Sequence, residues 1–205
     1  MIGNDIVDRA QAHRESNWQR RGFLEKLFTI HEQKLILTAD DPERIVWLLW
    51  SIKESAYKAS FRETGKRIFA PRKLACQIIS ISDETAEGVV FYEKIYQTKS
   101  LITPQYIAST ATSANTSSSL HQTIIPFEKA TYQDQHLLIR EKIKQYCTDS
   151  LSIPKENSYI QKDSNSVPIL TLVKSSTEQL HIPISISHHG YYGAFAIGPN
   201  RSLPA

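Results

Sequence analysis

Cysteine is scarce in this sequence. Cys76 and Cys147 are its only two, far apart and without a C-x-x-C partner. Their spacing excludes a zinc ribbon and argues against a disulfide framework, so a reduced, cytoplasmic setting is expected. Long apolar runs are missing as well. The longest, Ile45 to Trp50, is far too short to span a bilayer. The opening MIGNDIVDRAQ has no apolar stretch of the signal-peptide kind, so no membrane association is expected. Neither sign of charge dominates: 24 Lys and Arg stand against 21 Asp and Glu, and a net +3 is too small for a general nucleic-acid binder. It does permit a local basic patch suited to phosphates. With seven glycines and no Walker-A loop, phosphate handling by a P-loop is excluded. What remains is a 205-residue chain, 40% hydrophobic and 22% charged, able to bury one substantial core or two small ones.

Several elements are predicted from pattern. Residues 1–8 read as a short strand ending in acids, with Gly3 and Asn4 marking an irregular backbone. From Trp18 to Leu37 the pattern is helical but broken near Phe28, and Thr29 to Glu32 has the T-x-x-E spacing of a capping box. The clearest helix starts at Asp41, a good N-cap, with Pro42 at its first position. Ile45, Leu48, Leu49, Ile52, Ala56 and Ala59 make its apolar face. Strands are expected at Leu74–Ser82, Val89–Gln97 and Leu101–Thr110, with a turn around Asp83–Gly88. The small, low-complexity run Ser109–Ser119 reads as a linker or long loop. A helix over Gln133–Thr148 follows, then short strands at Ser158–Gln161, Ile169–Val173, Ile182–Ser187 and Tyr191–Ile197. The order is α+β, in two unequal halves.

Three groups of residues could carry chemistry. Glu54 and Lys58 lie four apart on the helix face away from the apolar stripe, one turn after Trp50. Such a pair is commonly a surface ion pair worth about 0.3–0.5 kcal/mol. With Lys53, however, it sets an acid between two cations, and a carboxylate there can hold a metal while lysines hold phosphate oxygens. Asp5 follows Gly3-Asn4 and is either a solvated strand-end acid or a magnesium ligand, since magnesium needs few protein carboxylates. Ser185-Ile186-Ser187-His188-His189-Gly190 ends one strand. Adjacent histidines point apart on a strand, which disfavours a histidine metal site. A hydroxyl, an imidazole and the Gly190 amide together suit a phosphate, although a plain turn would look the same.

In combination these residues resemble the 4′-phosphopantetheinyl transferase superfamily. Gly3-Asn4-Asp5 is similar to its G-x-D motif, and Trp50-Ser51-Ile52-Lys53-Glu54-Ser55-Ala56-Tyr57-Lys58 to W-x-x-K-E-x-x-x-K, the more specific of the two. Ile186-Ser187-His188 looks like its third, S-H motif. The resemblance implies transfer of the phosphopantetheine arm of coenzyme A to a serine of an acyl or peptidyl carrier protein, with magnesium on Asp5 and Glu54. It implies that Asp5, Glu54 and Lys58 are catalytic, and that Lys53, Lys58, Arg72, Ser187 and His188 hold coenzyme A. A non-catalytic coenzyme A or carrier-protein binding module of the same fold is the alternative.

Motif order adds an expectation about architecture. In the family's small type one short protomer carries all three motifs and trimerises; in the larger type two units are fused. Here residues 1–112 resemble the unit with G-x-D and K-E, 113–127 a linker, and 128–205 the smaller S-H unit. The expected arrangement is a monomeric pseudo-dimer with its units in swapped order and one site at the seam. An enlarged single unit competes with it. Two departures stand out. Position 7 is Val where the larger type often has a second acid, and the G-K-P stretch that often supplies a phosphate-binding lysine reads Ser166-Val167-Pro168.

Overall fold

The computed structural model describes residues 1–113, 120–128, 131–175 and 178–198. Strand β1 (Ile2–Asp8) leads into helices α1 (Arg9–Glu15), α2 (Phe23–Leu27), α3 (Ile30–Leu37) and α4 (Pro42–Thr64). Strands β2 (Ala75–Ile81), β3 (Thr85–Phe91), β4 (Ile95–Ile102) and β5 (Tyr106–Ser113) follow. The second half holds β6 (His121–Pro126), α5 (Tyr132–Leu151), β7 (Ser158–Lys162), β8 (Pro168–Val173), β9 (Gln179–His189) and β10 (Tyr192–Ile197). Two antiparallel five-stranded sheets result, in the orders β1-β5-β4-β3-β2 and β6-β10-β9-β8-β7. This is the expected α+β class, built as two sheet-and-helix halves. No helix among the described residues is long and apolar enough to cross a membrane.

Local chemistry sets the helix ends. The capping box at α3 is complete: Thr29 Oγ1 accepts from Glu32 N and Glu32 Oε2 from Thr29 N. Asp41 Oδ1 accepts from Arg44 N with Pro42 behind it, and α4 stops at Gly65, whose φ of 69° favours glycine. All six residues of the expected apolar face are buried against the first sheet, and Ile139, Ile143 and Cys147 of α5 are buried against the second.

Four findings depart from the sequence reading. Helix α1, only seven residues long, is new. The expected strand Val89–Gln97 crosses the turn between β3 and β4, closed by Tyr92 N donating to Lys94 O at 3.0 Å. That turn has neither Gly nor Pro, so nothing local announced it. The expected strand Leu101–Thr110 similarly crosses a turn at Thr103–Gln105, where Pro104 was the available signal. The segment 113–127, expected as linker, contributes β6, which pairs with β10. Residues 114–119 of that segment lie outside the described residues.

The halves meet along β1. Asn4 N donates to Ser185 Oγ and Asn4 Nδ2 to Ser187 Oγ, both at 2.9 Å. Asp8 N donates to His189 Nδ1 at 3.0 Å, and Asp8 Oδ2 accepts from Tyr191 N at 2.9 Å. Ile6, Ala108 and Ala194 form a small apolar cluster between the sheets. At the far end of α4, Arg62 donates to Pro168 O at 3.0 Å and Arg67 to Asn165 O at 2.9 Å.

Candidate active site

Strand β1 crosses α4 so closely that only glycine fits at position 3. A Cβ there would stand 2.0 Å from Ser55 O and 2.6 Å from Ala59 N. This approach explains Gly3 and brings the next acid to the helix. Asp5 Oδ1 accepts from Lys58 Nζ at 2.9 Å, and the same ammonium donates to Asn4 O at 3.0 Å. Glu54, one turn earlier on α4, lines a cavity of about 760 Å³ together with Asp5, Trp50, His188 and His189. The expected acids and the S-H histidine, distant in sequence, thus share one cavity at the seam.

The electrostatics of this end are tense. Burial first, and repulsion from Asp5 second, push the Glu54 carboxyl from 4.5 up to about 7 against the pull of Lys58. Burial, with His136, Lys58 and His189 nearby, lowers the His188 imidazole below its usual range. Two partly buried carboxylates kept together at such cost invite a cation. Among the described residues no group of three or more His, Cys, Asp or Glu could hold a metal. Two carboxylates with water and phosphate oxygens is nonetheless what magnesium uses at phosphate sites, and Asp5 and Glu54 fit that donor set.

Other expected site residues fall elsewhere. Lys53 points away from the cavity: its side chain is 0% exposed and ion-paired with Glu32 at 2.9 Å, so it cannot reach a phosphate in this fold. The periodicity put it on a flank, whereas the structure buries it with Val46, Leu49, Ala56 and Ser60. Ser187 is buried in the seam, where its hydroxyl accepts from Asn4, and it is not among the cavity-lining residues. Arg72 sits exposed on a 3-10 turn at Pro71–Lys73 and does not line the cavity either. At position 166 the backbone still suits glycine: Ser166 has φ 64°, in the left-handed region.

Sequence reasoning missed several contributors. Arg20, Arg21 and Lys26 also line the cavity, as do the apolar side chains Phe23, Leu27 and Trp47. The Arg20-Arg21-Gly22 run was the signal, a basic pair before a break in the helical pattern. Asp8, the last residue of β1, is buried. It caps α1 by accepting from Gln11 N and clamps the Gly190-Tyr191 turn.

Fold and site together define a two-sheet α+β protein with Asp5, Glu54 and His188 on one cavity and Lys58 paired with Asp5 beside it. The family model of the 4′-phosphopantetheinyl transferase superfamily matches residues 1–114, more than half the chain, and the protein belongs to that superfamily. Among curated proteins, none matches the chain.

Proposed function

We propose that the protein transfers the 4′-phosphopantetheine arm of coenzyme A to a serine of an apo carrier protein, releasing 3′,5′-ADP. The observation that carries this reading is the convergence of Asp5, Glu54 and His188 on one cavity, with Lys58 held by Asp5. The serine oxygen forms a bond to the β-phosphorus of coenzyme A while the bridging P–O bond breaks, and the electron pair leaves with the ADP phosphate. The serine proton goes to Glu54 or to water in the cavity. Asp5 and Glu54 would hold magnesium, which when bound would supply positive charge against the pyrophosphate. Lys58 adds fixed charge beside it and is held ready by Asp5 Oδ1 and Asn4 O. His188 holds a phosphate at the adenosine end. Trp50 and the aromatic wall exclude water from the reacting bond.

On this reading the half from β1 to β5 and the half from β6 onward are the two units of a monomeric pseudo-dimer, in swapped order relative to the family's larger type. Incubation with coenzyme A, magnesium and a panel of apo carrier proteins, followed by mass spectrometry, tests the activity. A carrier gaining the phosphopantetheine mass is the expected result. Coenzyme A binding with no transfer to any carrier would favour the non-catalytic module.

A further inference from the structure

One face of α4 is a buried stripe of Val46, Leu49, Lys53, Ala56 and Ser60, and Lys53 is the one charge in it. Its ammonium donates to Glu32 Oε1 at 2.9 Å, Pro71 O at 2.8 Å and Leu74 O at 2.6 Å, which uses all three of its protons. The Phe28 ring lies 5.7 Å away. Glu32 is 1% exposed and is equally committed. Its Oε1 also accepts from Cys76 N at 2.7 Å, and its Oε2 from Thr29 N at 2.7 Å. One carboxylate therefore joins the start of α3, the middle of α4 and the start of β2.

Such a pair adds little to net stability. Each ion loses several kcal/mol of hydration, and well-packed apolar replacements are often neutral or better. Its best-attested use is to fix register where apolar packing alone leaves it free. Here the element to be fixed is α4. Gly3 sets how closely α4 approaches β1 through Ser55 and Ala59. By helical periodicity those positions lie on the side of α4 opposite Lys53. The neighbouring face carries Trp47, Trp50 and Glu54 into the cavity and Lys58 onto Asp5. A rotation of about 20° would move a carboxylate about 6 Å from the helix axis by about 2 Å. Misplacement of about 1 Å can cost about a hundredfold in rate.

We propose that Lys53 and Glu32 are positioning residues: their buried pair locks the rotation of α4 and thereby the placement of Glu54 and Lys58 against Asp5. Lys53 thus serves the site without touching the ligand. This inference rests on the transferase reading above.

The test compares Glu32→Gln and Lys53→Met/Glu32→Gln with wild type in the full chain. Glu32→Gln removes the charge and keeps an acceptor, and the double variant removes both charges. Circular dichroism and thermal melting establish folding. Magnesium-induced change in melting temperature with coenzyme A present reads the site without turnover, and kcat and KM for coenzyme A read it with turnover. Folded variants should lose at least about tenfold in kcat, keep KM within about threefold, and show a smaller magnesium shift. A folded variant with wild-type kcat and magnesium shift overturns the proposal. So does a rise in KM at unchanged kcat, which would mean direct ligand contact. Failure of both variants to fold also overturns it, because the pair would then be a structural strut alone. If wild type transfers to no carrier, the transferase reading fails and the magnesium shift still decides the positioning role. A wild type without that shift overturns the positioning role as well.

Discussion

Replacing Glu54 by Gln should make the metal-free protein more stable while destroying its function. The folded chain holds the Glu54 carboxyl near 7 instead of 4.5, chiefly through burial and the adjacent Asp5. A folded-state pKa above the unfolded value means that the folded chain binds the proton more tightly. The stability this confers is complete below about pH 4.5 and is lost as pH rises through about 7. The gap corresponds to about 3 kcal/mol, a ceiling for what ionised Glu54 costs the metal-free fold at pH 8. Glutamine keeps the shape and cannot ionise. Its advantage should be under about 1 kcal/mol at pH 5 and grow to as much as about 6–12 °C in melting temperature at pH 8 for a chain of this length. Magnesium and coenzyme A should reverse the order, because a ligand at about 1,000 times its Kd stabilises wild type by about 4.1 kcal/mol, above that ceiling, and the variant much less. Thermal melts across pH 5–8, with and without magnesium, supply the test. A Gln variant no more stable than wild type at pH 8 without metal, or a difference independent of pH, would refute the reasoning.

Changing Asp5 or Glu54 to Ala should lower transfer at least about a hundredfold, or about 3 kcal/mol, with the fold retained, as steady-state rates and circular dichroism will report. His188→Ala should weaken coenzyme A binding by about 1–2 kcal/mol in calorimetry, and saturating coenzyme A should restore much of the rate. Because burial lowers the His188 imidazole in the free protein, wild-type binding should tighten below about pH 6.5, and the Ala variant should lose that dependence. Gly3→Ala drives a methyl onto the backbone of α4 and should cost more than about 3 kcal/mol, seen as loss of the cooperative denaturant transition. Ser166→Gly relieves a left-handed backbone and should raise stability by about 0.5–1 kcal/mol; a melting temperature below wild type would count against that account.

Features that depend on neighbours along the chain are legible in the amino-acid order. The α3 capping box, the Asp41-Pro42 start of α4 and its apolar face all follow from spacings of a few residues, and all stand as expected. The W-x-x-K-E-x-x-x-K spacing on that helix marked Glu54 and Lys58 for the same reason. Which charges reach the cavity depends on tertiary packing. Lys53 and Glu54 are adjacent on the chain, yet about 100° of helical rotation sends one into the core and the other into the cavity. Nothing within a few residues of Lys53 foretells Glu32, because their meeting depends on how α3, α4 and β2 pack. Arg20, Arg21 and Lys26 became cavity residues, and Ser187 a seam residue, through contacts between segments far apart in sequence. Helical and capping patterns are short-range and survive in a linear reading, whereas burial and charge pairing are set by whatever the folded chain brings alongside.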